Sequence, residues 1–135
     1  MFIECENHYG KRSYNVNNIV FVGEMKDKVS LYFDNGTFLH LSDDYVSIVK
    51  RFIEITKIEI SSSVYVQFTT KKDERIAFPV KRIFSIWEEN GFTSILFNDC
   101  TRIEVLEDYD TVLSRINSKI GIPLEHLKID EEIKN

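Results

Sequence analysis

An α+β domain built from two tandem strand-rich repeats, each closed by an amphipathic helix, is the fold class this sequence predicts, and three observations predict it. First, the second half repeats the first at a shift of 64 residues without a gap: Val16, Ile19, Glu24, Ser30, Phe33, Thr37, Asp44, Tyr45 and Arg51 fall on Val80, Ile83, Glu88, Ser94, Phe97, Thr101, Asp108, Tyr109 and Arg115. A fixed internal period names the packing unit. Second, in each copy the hydrophobic period is close to 2 over the strands and then changes to 3.6. Third, Ile19-Val20-Phe21-Val22 and the pairs Ile83-Phe84 and Ile86-Trp87 are apolar on both strand faces, so the sheet needs cover on both sides. One helix per copy covers one face, and the sister repeat or a second chain should cover the other.

Size and composition agree with one fused pseudo-twofold antiparallel sheet domain. The chain has 135 residues, 43% of them hydrophobic and 13% aromatic, enough for a sizeable core. A repeat of about 50–65 residues would be marginal alone, because a small unit buries too little of its surface. The expected organisation is a single domain over 1–135, with repeat one at 1–56, repeat two at 57–120 and an acidic tail at 121–135.

The first repeat opens with a hairpin, residues 2–6 and 12–16 joined by a turn around His8-Tyr9-Gly10, where glycine permits the backbone to reverse. Residues 19–24 and 28–33 form the next strand pair across Met25-Lys26-Asp27. In the second copy that connection holds Asn90-Gly91, a strong hairpin signal because both residues tolerate positive φ. Asp34-Asn35-Gly36 turns the chain into a strand over 37–41. Tyr45, Ile48, Val49 and Phe52 then give one buried helical stripe, and Tyr109, Val112, Leu113 and Ile116 give the other. Ser42 is a natural N-cap, and Asp43, Asp44, Glu107, Asp108 and Asp110 put negative charge where the helix dipole favours it. Arg51 and Arg115, near the helix C-termini, suit the opposite pole. Lys57 to Phe68 alternates as one long or bulged strand that joins the copies. The second helix stops near Gly121, before Pro123. Leu124, Leu127 and Ile133 could face inward from the acidic tail.

The first copy carries Phe2-Ile3-Glu4, Asn15-Val16-Asn17-Asn18-Ile19, Leu31-Tyr32-Phe33-Asp34-Asn35-Gly36-Thr37 and Asp43-Asp44-Tyr45. In these segments it is similar to the small FlbD-type family named for flagellar and swarming motility, over roughly residues 2–53 and more faintly 65–116. The second copy departs from that pattern at its turn, where Asn98-Asp99-Cys100 replaces Asp34-Asn35-Gly36. The resemblance brings no catalytic residues with it. In topology, tandem strand-rich repeats closed by helices also resemble the Whirly and PUR-type single-stranded nucleic-acid-binding proteins, which implies exposed sheet surface with aromatic and basic groups.

For function, charge and motifs narrow the field. The net charge is −5, spread over both halves, and the pI is near 5.2, so there is no domain-wide basic footprint. There is no phosphate loop, Gly-x-Gly-x-x-Gly, Gly-x-Ser-x-Gly or His-Glu-x-x-His, and five glycines leave little backbone for cradling phosphate. Glu4, Glu6 and His8 share a strand face and Cys5 to His8 has Cys-x-x-His spacing, but a metal needs three or four convergent ligands and no second cluster supplies them. His40 and His126 have no local partner. Cys5 and Cys100 read as free thiols. No apolar run spans a membrane and no signal peptide is evident, so the expected setting is cytoplasmic.

The candidate nucleic-acid set is Lys11 and Arg12 on the first hairpin, Lys71, Lys72 and Arg75 on its counterpart, Lys81 and Arg82 behind it, and the aromatics Tyr32 and Trp87. Cations hold phosphates while exposed rings stack bases, as in sequence-tolerant single-strand binders. The acidic runs Asp43-Asp44, Glu88-Glu89, Glu107-Asp108-Asp110 and Asp130-Glu131-Glu132 could instead occupy a basic partner, although helix caps and solubility account for them as well. The sequence therefore predicts a non-enzymatic binding module without cofactor or metal. A protein partner comes first, with a homodimer through an uncovered sheet face possible, and single-stranded nucleic-acid binding is the alternative.

Overall fold

A computed structural model describes residues 2–25, 28–58, 64–118, 120–123 and 127. The chain forms β1 (Phe2–Asn7) and β2 (Gly10–Asn15), a short 3-10 turn (Val16–Asn18), β3 (Ile19–Met25), β4 (Lys28–Phe33), β5 (Phe38–Leu41) and α1 (Tyr45–Ile58). The same order follows again: β6 (Tyr65–Thr69), β7 (Arg75–Pro79), a second 3-10 turn (Val80–Arg82), β8 (Ile83–Glu89), β9 (Phe92–Phe97), β10 (Arg102–Val105) and α2 (Tyr109–Ser118). The fold is α+β and strand-rich, as the periodicities predict.

Among the described residues ten strands make three antiparallel sheets, and here the two halves part company. β1 and β2 pair only with each other, whereas β7 lies against β3, so that a five-stranded sheet runs β5-β4-β3-β7-β6. β8, β9 and β10 form a three-stranded sheet in the order β10-β9-β8. Residues of both halves thus share one hydrogen-bonded sheet, through Val22 opposite Ala77 and Gly23 opposite Ile76. The bidentate ion pair of Arg75 with Glu24, at 2.6 and 2.8 Å, joins the halves beside that seam.

The five-stranded sheet is covered on both faces, which explains its doubly apolar strands. On one side Ile19, Val22 and Leu31 pack with Ile3 and Cys5 of β1 and with Tyr45, Ile48, Val49 and Phe52 of α1. On the other, Val20, Phe21, Phe68, Ile76 and Phe78 meet Ile95, Phe97 and Val105 of the three-stranded sheet and Val112 of α2. The predicted stripe of α1 is buried, whereas in that of α2 Val112 is buried and Tyr109, Leu113 and Ile116 are only partly buried.

Several boundaries differ from the sequence reading. The first hairpin is tighter, because strand pairing runs to Asn7 opposite Gly10 and leaves His8-Tyr9 as the turn, with Gly10 at φ 115°. Lys57 and Ile58 belong to α1 rather than to a long joining strand, so the helix crosses the boundary expected after residue 56; residues 59–63 lie outside the described residues. Asp44, not Ser42, caps α1, accepting from Ser47 N–H at 2.7 Å, while Asp108 caps α2 through Thr111 N–H at 2.8 Å. The backbone hydrogen bond from Thr111 holds the Asp108 carboxyl below its ordinary value. Ser42 is used by its backbone, which donates to Glu6 O at 2.7 Å. Leu127 is buried as expected, whereas Leu124 and Ile133 lie outside the described residues.

Arg51 lies midway along α1 rather than near its C-terminus, and both it and Arg115 have a role the helix-dipole argument does not give. Arg51 donates to the Glu4 carbonyl at 2.6 Å and pairs with Asp43 at 3.4 Å, while Asp43 accepts from Glu6 N–H at 2.8 Å. Arg115 donates to the Gln67 carbonyl at 2.7 Å and pairs with Glu107 at 3.5 Å, and Glu107 accepts from Thr69 N–H at 3.0 Å. Each arginine–carboxylate pair therefore presents a donor and an acceptor to the edge of a strand, satisfying backbone groups that no neighbouring strand reaches.

Candidate nucleic-acid interface

The strands run between two ends of the molecule with different chemistry. One end collects the hairpin tips and the N-termini of both helices. It holds Lys11, Lys71 and Lys72 of the predicted set, but also Glu6, Glu24, Asp43, Asp44, Asp73, Glu74, Glu88, Glu89, Glu107 and Asp108. Its cations are largely answered. Lys11 stands 3.9 Å from Glu4, Lys71 is 3.3 Å from Glu104, and Arg75 is fixed by Glu24 with its guanidinium 4.4 Å over the Tyr45 ring. Hydrogen bonds from Arg102 and then Lys71 hold the Glu104 carboxyl below its ordinary value. Arg12 is exposed midway along β2, opposite Cys5, and Lys72 is exposed at the tip of the β6–β7 hairpin.

At the opposite end the two 3-10 turns meet the β4–β5 and β9–β10 turns. Asp34 N–H donates to Asn18 O at 2.9 Å, and in the second half Asn98 N–H donates to Arg82 O at 2.8 Å. Lys81 Nζ lies 3.3 Å from Asn17 Oδ1, Arg82 Nη2 lies 3.3 Å from Asp34 Oδ2, and Asn98 Nδ2 donates to Lys81 O at 3.0 Å. These bonds knit positions 17, 18 and 34 to 81, 82 and 98, their counterparts at the 64-residue shift. Each turn is locked by an Asx arrangement: Asn35 Oδ1 accepts from Thr37 N–H at 3.0 Å, and Asp99 Oδ1 accepts from Thr101 N–H at 3.1 Å. Gly36 takes φ 85° and Cys100 takes φ 74° at equivalent places, so the second turn holds a non-glycine residue in left-handed backbone.

The structure thus brings Lys81 and Arg82 together and separates them from Lys11, Lys71, Lys72 and Arg75, which lie toward the other end. Lys81, Asn17, Asn18, Asn35 and Asn98 are exposed there, while Arg82 is mostly covered and held by Asp34. The sequence reading missed the asparagines. The signal was present, since Asn17-Asn18 stands where the repeat places Lys81-Arg82.

The predicted stacking residues serve other contacts. Tyr32 is half-buried, with its ring 4.3 Å from Phe21 and 5.4 Å from Phe38 and its hydroxyl on the Met25 sulfur at 3.1 Å. Burial pushes its phenol up. Trp87 is half-buried on the outer face of the three-stranded sheet, donating to Glu89 Oε2 at 3.1 Å beneath Arg102. Phe38 is exposed and lines a groove of about 380 Å³ together with Tyr32 and Arg102. His40, read as partnerless, meets the buried Ser30 hydroxyl at Nδ1, 2.7 Å away. Among the described residues, no three His, Cys, Asp or Glu side chains gather closely enough to hold a metal ion. No helix among them is long and apolar enough to cross a membrane.

No family model and no curated protein matches the chain. Among solved structures the fold is similar to the LytTr DNA-binding domain of a protein assigned as a methyl-accepting/DNA response regulator from Bacillus cereus. The TM-score is 0.56 at 8% sequence identity, over 86% of this chain and 95% of that domain. At that identity the likeness is one of fold.

Proposed function

We propose that the chain is a nucleic-acid-binding module that approaches duplex DNA with the end formed by its two 3-10 turns. The observation that supports this reading is the unequal chemistry of the two ends on a fold shared with a DNA-binding domain. A polyanion is repelled by the carboxylate-rich hairpin tips, whereas the other end offers Lys81 beside four exposed asparagines, with its two acids engaged, Asp34 by Arg82 and Asp99 by Thr101. Amide side chains pair with base edges in a groove and lysine contacts phosphate, so this end suits a duplex. Sequence-level reasoning favoured a protein partner because the net charge of −5 opposes DNA. Segregation of charge between the ends weakens that objection.

The test is titration of labelled duplex and single-stranded oligonucleotides at several salt concentrations, with Lys81→Ala, Asn17→Ala and Lys72→Ala proteins alongside the parent. Binding should weaken with salt, and Lys81→Ala should reduce the log–log salt slope by about 1. Lys72→Ala should bind as the parent does. A flat baseline for every oligonucleotide rejects the function, and a loss confined to Lys72→Ala puts the interface at the wrong end.

A further inference from the structure

Two strand edges are left open in this fold, and they match each other. β2 pairs only with β1, and β8 pairs only with β9, so among the described residues nothing adds to the outer edge of either. Their counterparts in the other half are β7 and β3, and those two strands do pair, with Val22 opposite Ala77 and Gly23 opposite Ile76. Among the described residues, the pairing that the second hairpin makes with the first half has no reciprocal. We infer that β8 accepts β2 of a second copy of this chain, in the register by which β3 accepts β7.

The 64-residue shift transfers that register directly. It places Ile86 opposite Ser13 and Trp87 opposite Arg12, and one step further along Glu88 opposite Lys11. The last two of these pairs are favourable. A guanidinium meets an indole, and an ammonium meets a carboxylate, where like charges would have opposed the pairing. The edges themselves are accessible, because Gly10 to Ser13 are exposed along β2 and Glu88 and Glu89 are exposed on β8. Phe84 supplies a separate reason. It is 72% exposed on β8, while its counterpart Val20 in β3 is wholly buried. Val20 is covered by side chains packed over its sheet face rather than by the β7 pairing, so Phe84 marks uncovered apolar surface on β8 for a second copy to lie against. β8 has a bulge between Ile83 and Ser85, a device that often protects edges, but β3 has the same bulge between Ile19 and Phe21 and still pairs with β7 beyond it.

The measurement is analytical ultracentrifugation of the full chain without nucleic acid, over a range of concentrations, for the parent, Lys11→Glu, Glu88→Lys and the double exchange. Both altered side chains are exposed at the surface, and circular dichroism checks that each protein folds. The parent should self-associate, each single exchange should weaken association by about fivefold at low salt, and the double exchange should recover most of the loss. A parent that stays monomeric at every concentration overturns the inference. So does association that ignores both exchanges, since the contact would then lie elsewhere.

Discussion

Cys5 and Cys100 show how position decides the chemistry of one residue type. Cys5 lies in the core beneath α1, where burial, with Asp43 adding to it, pushes its thiol up to about 11 from 9.0. Cys100 is exposed in the β9–β10 turn. In the native protein an alkylating reagent should modify Cys100 rapidly and reach Cys5 only on unfolding, which mass spectrometry with and without denaturant would show. Two labels taken up natively at equal rates would contradict the packing. The shift also has a consequence for stability. A thiol whose folded pKa is raised binds its proton more tightly in the folded state, so its contribution is complete below pH 9.0 and is lost as pH rises through about 11. Melting temperature should therefore fall across that window in the parent and fall less in Cys5→Ala, once the difference at neutral pH is subtracted.

At the scale of elements, the repeat keeps a polar device as well as a hydrophobic pattern. Arg51 with Asp43, and Arg115 with Glu107, close the strand edges of β1 and β6 by offering a donor and an acceptor side by side. The Arg51 side chain is 42% exposed, so water would partly replace what Arg51→Ala removes, and the expected loss is about 1 kcal/mol in denaturant unfolding. Hydrogen exchange gives the sharper readout. Amides of β1 should exchange faster in Arg51→Ala while those of β9 stay as in the parent, and uniform acceleration would mean that the arginine supports the whole fold instead. In the sequence these residues looked like helix-end charges, because a contact between residues 51 and 4 leaves no trace in local spacing.

The whole molecule is decided by the seam between β3 and β7. Val20 and Phe21 are buried against residues of the second half, and Glu24 is paired with Arg75 across the same line. A fragment of residues 1–58 would keep its helix, the β1–β2 hairpin and three strands of the five-stranded sheet yet expose that apolar face and an unpaired strand edge. It should show no cooperative thermal transition by circular dichroism, in contrast to the full chain. Cooperative melting of the fragment would mean that each half is a domain in its own right.

The sequence alone determined the elements, because they follow from local periods. Tyr45, Ile48, Val49 and Phe52 can be buried together only on a helix, Asn90-Gly91 reverses a hairpin through positive φ, and the 64-residue shift sets the order of strands twice over. Which strand lies beside which, and which cations share an end, was decided by tertiary structure. The two hairpins hold equivalent places at the 64-residue shift, yet β7, with apolar Ile76-Ala77-Phe78, joins the other half's sheet and β2, with Arg12-Ser13-Tyr14, does not. That choice rests on the summed burial of both halves around Val22 and Ala77. It also carries Lys81 and Arg82 to the asparagines of the first half and leaves Lys11, Lys71 and Lys72 among carboxylates at the far end, a separation that no local pattern encodes.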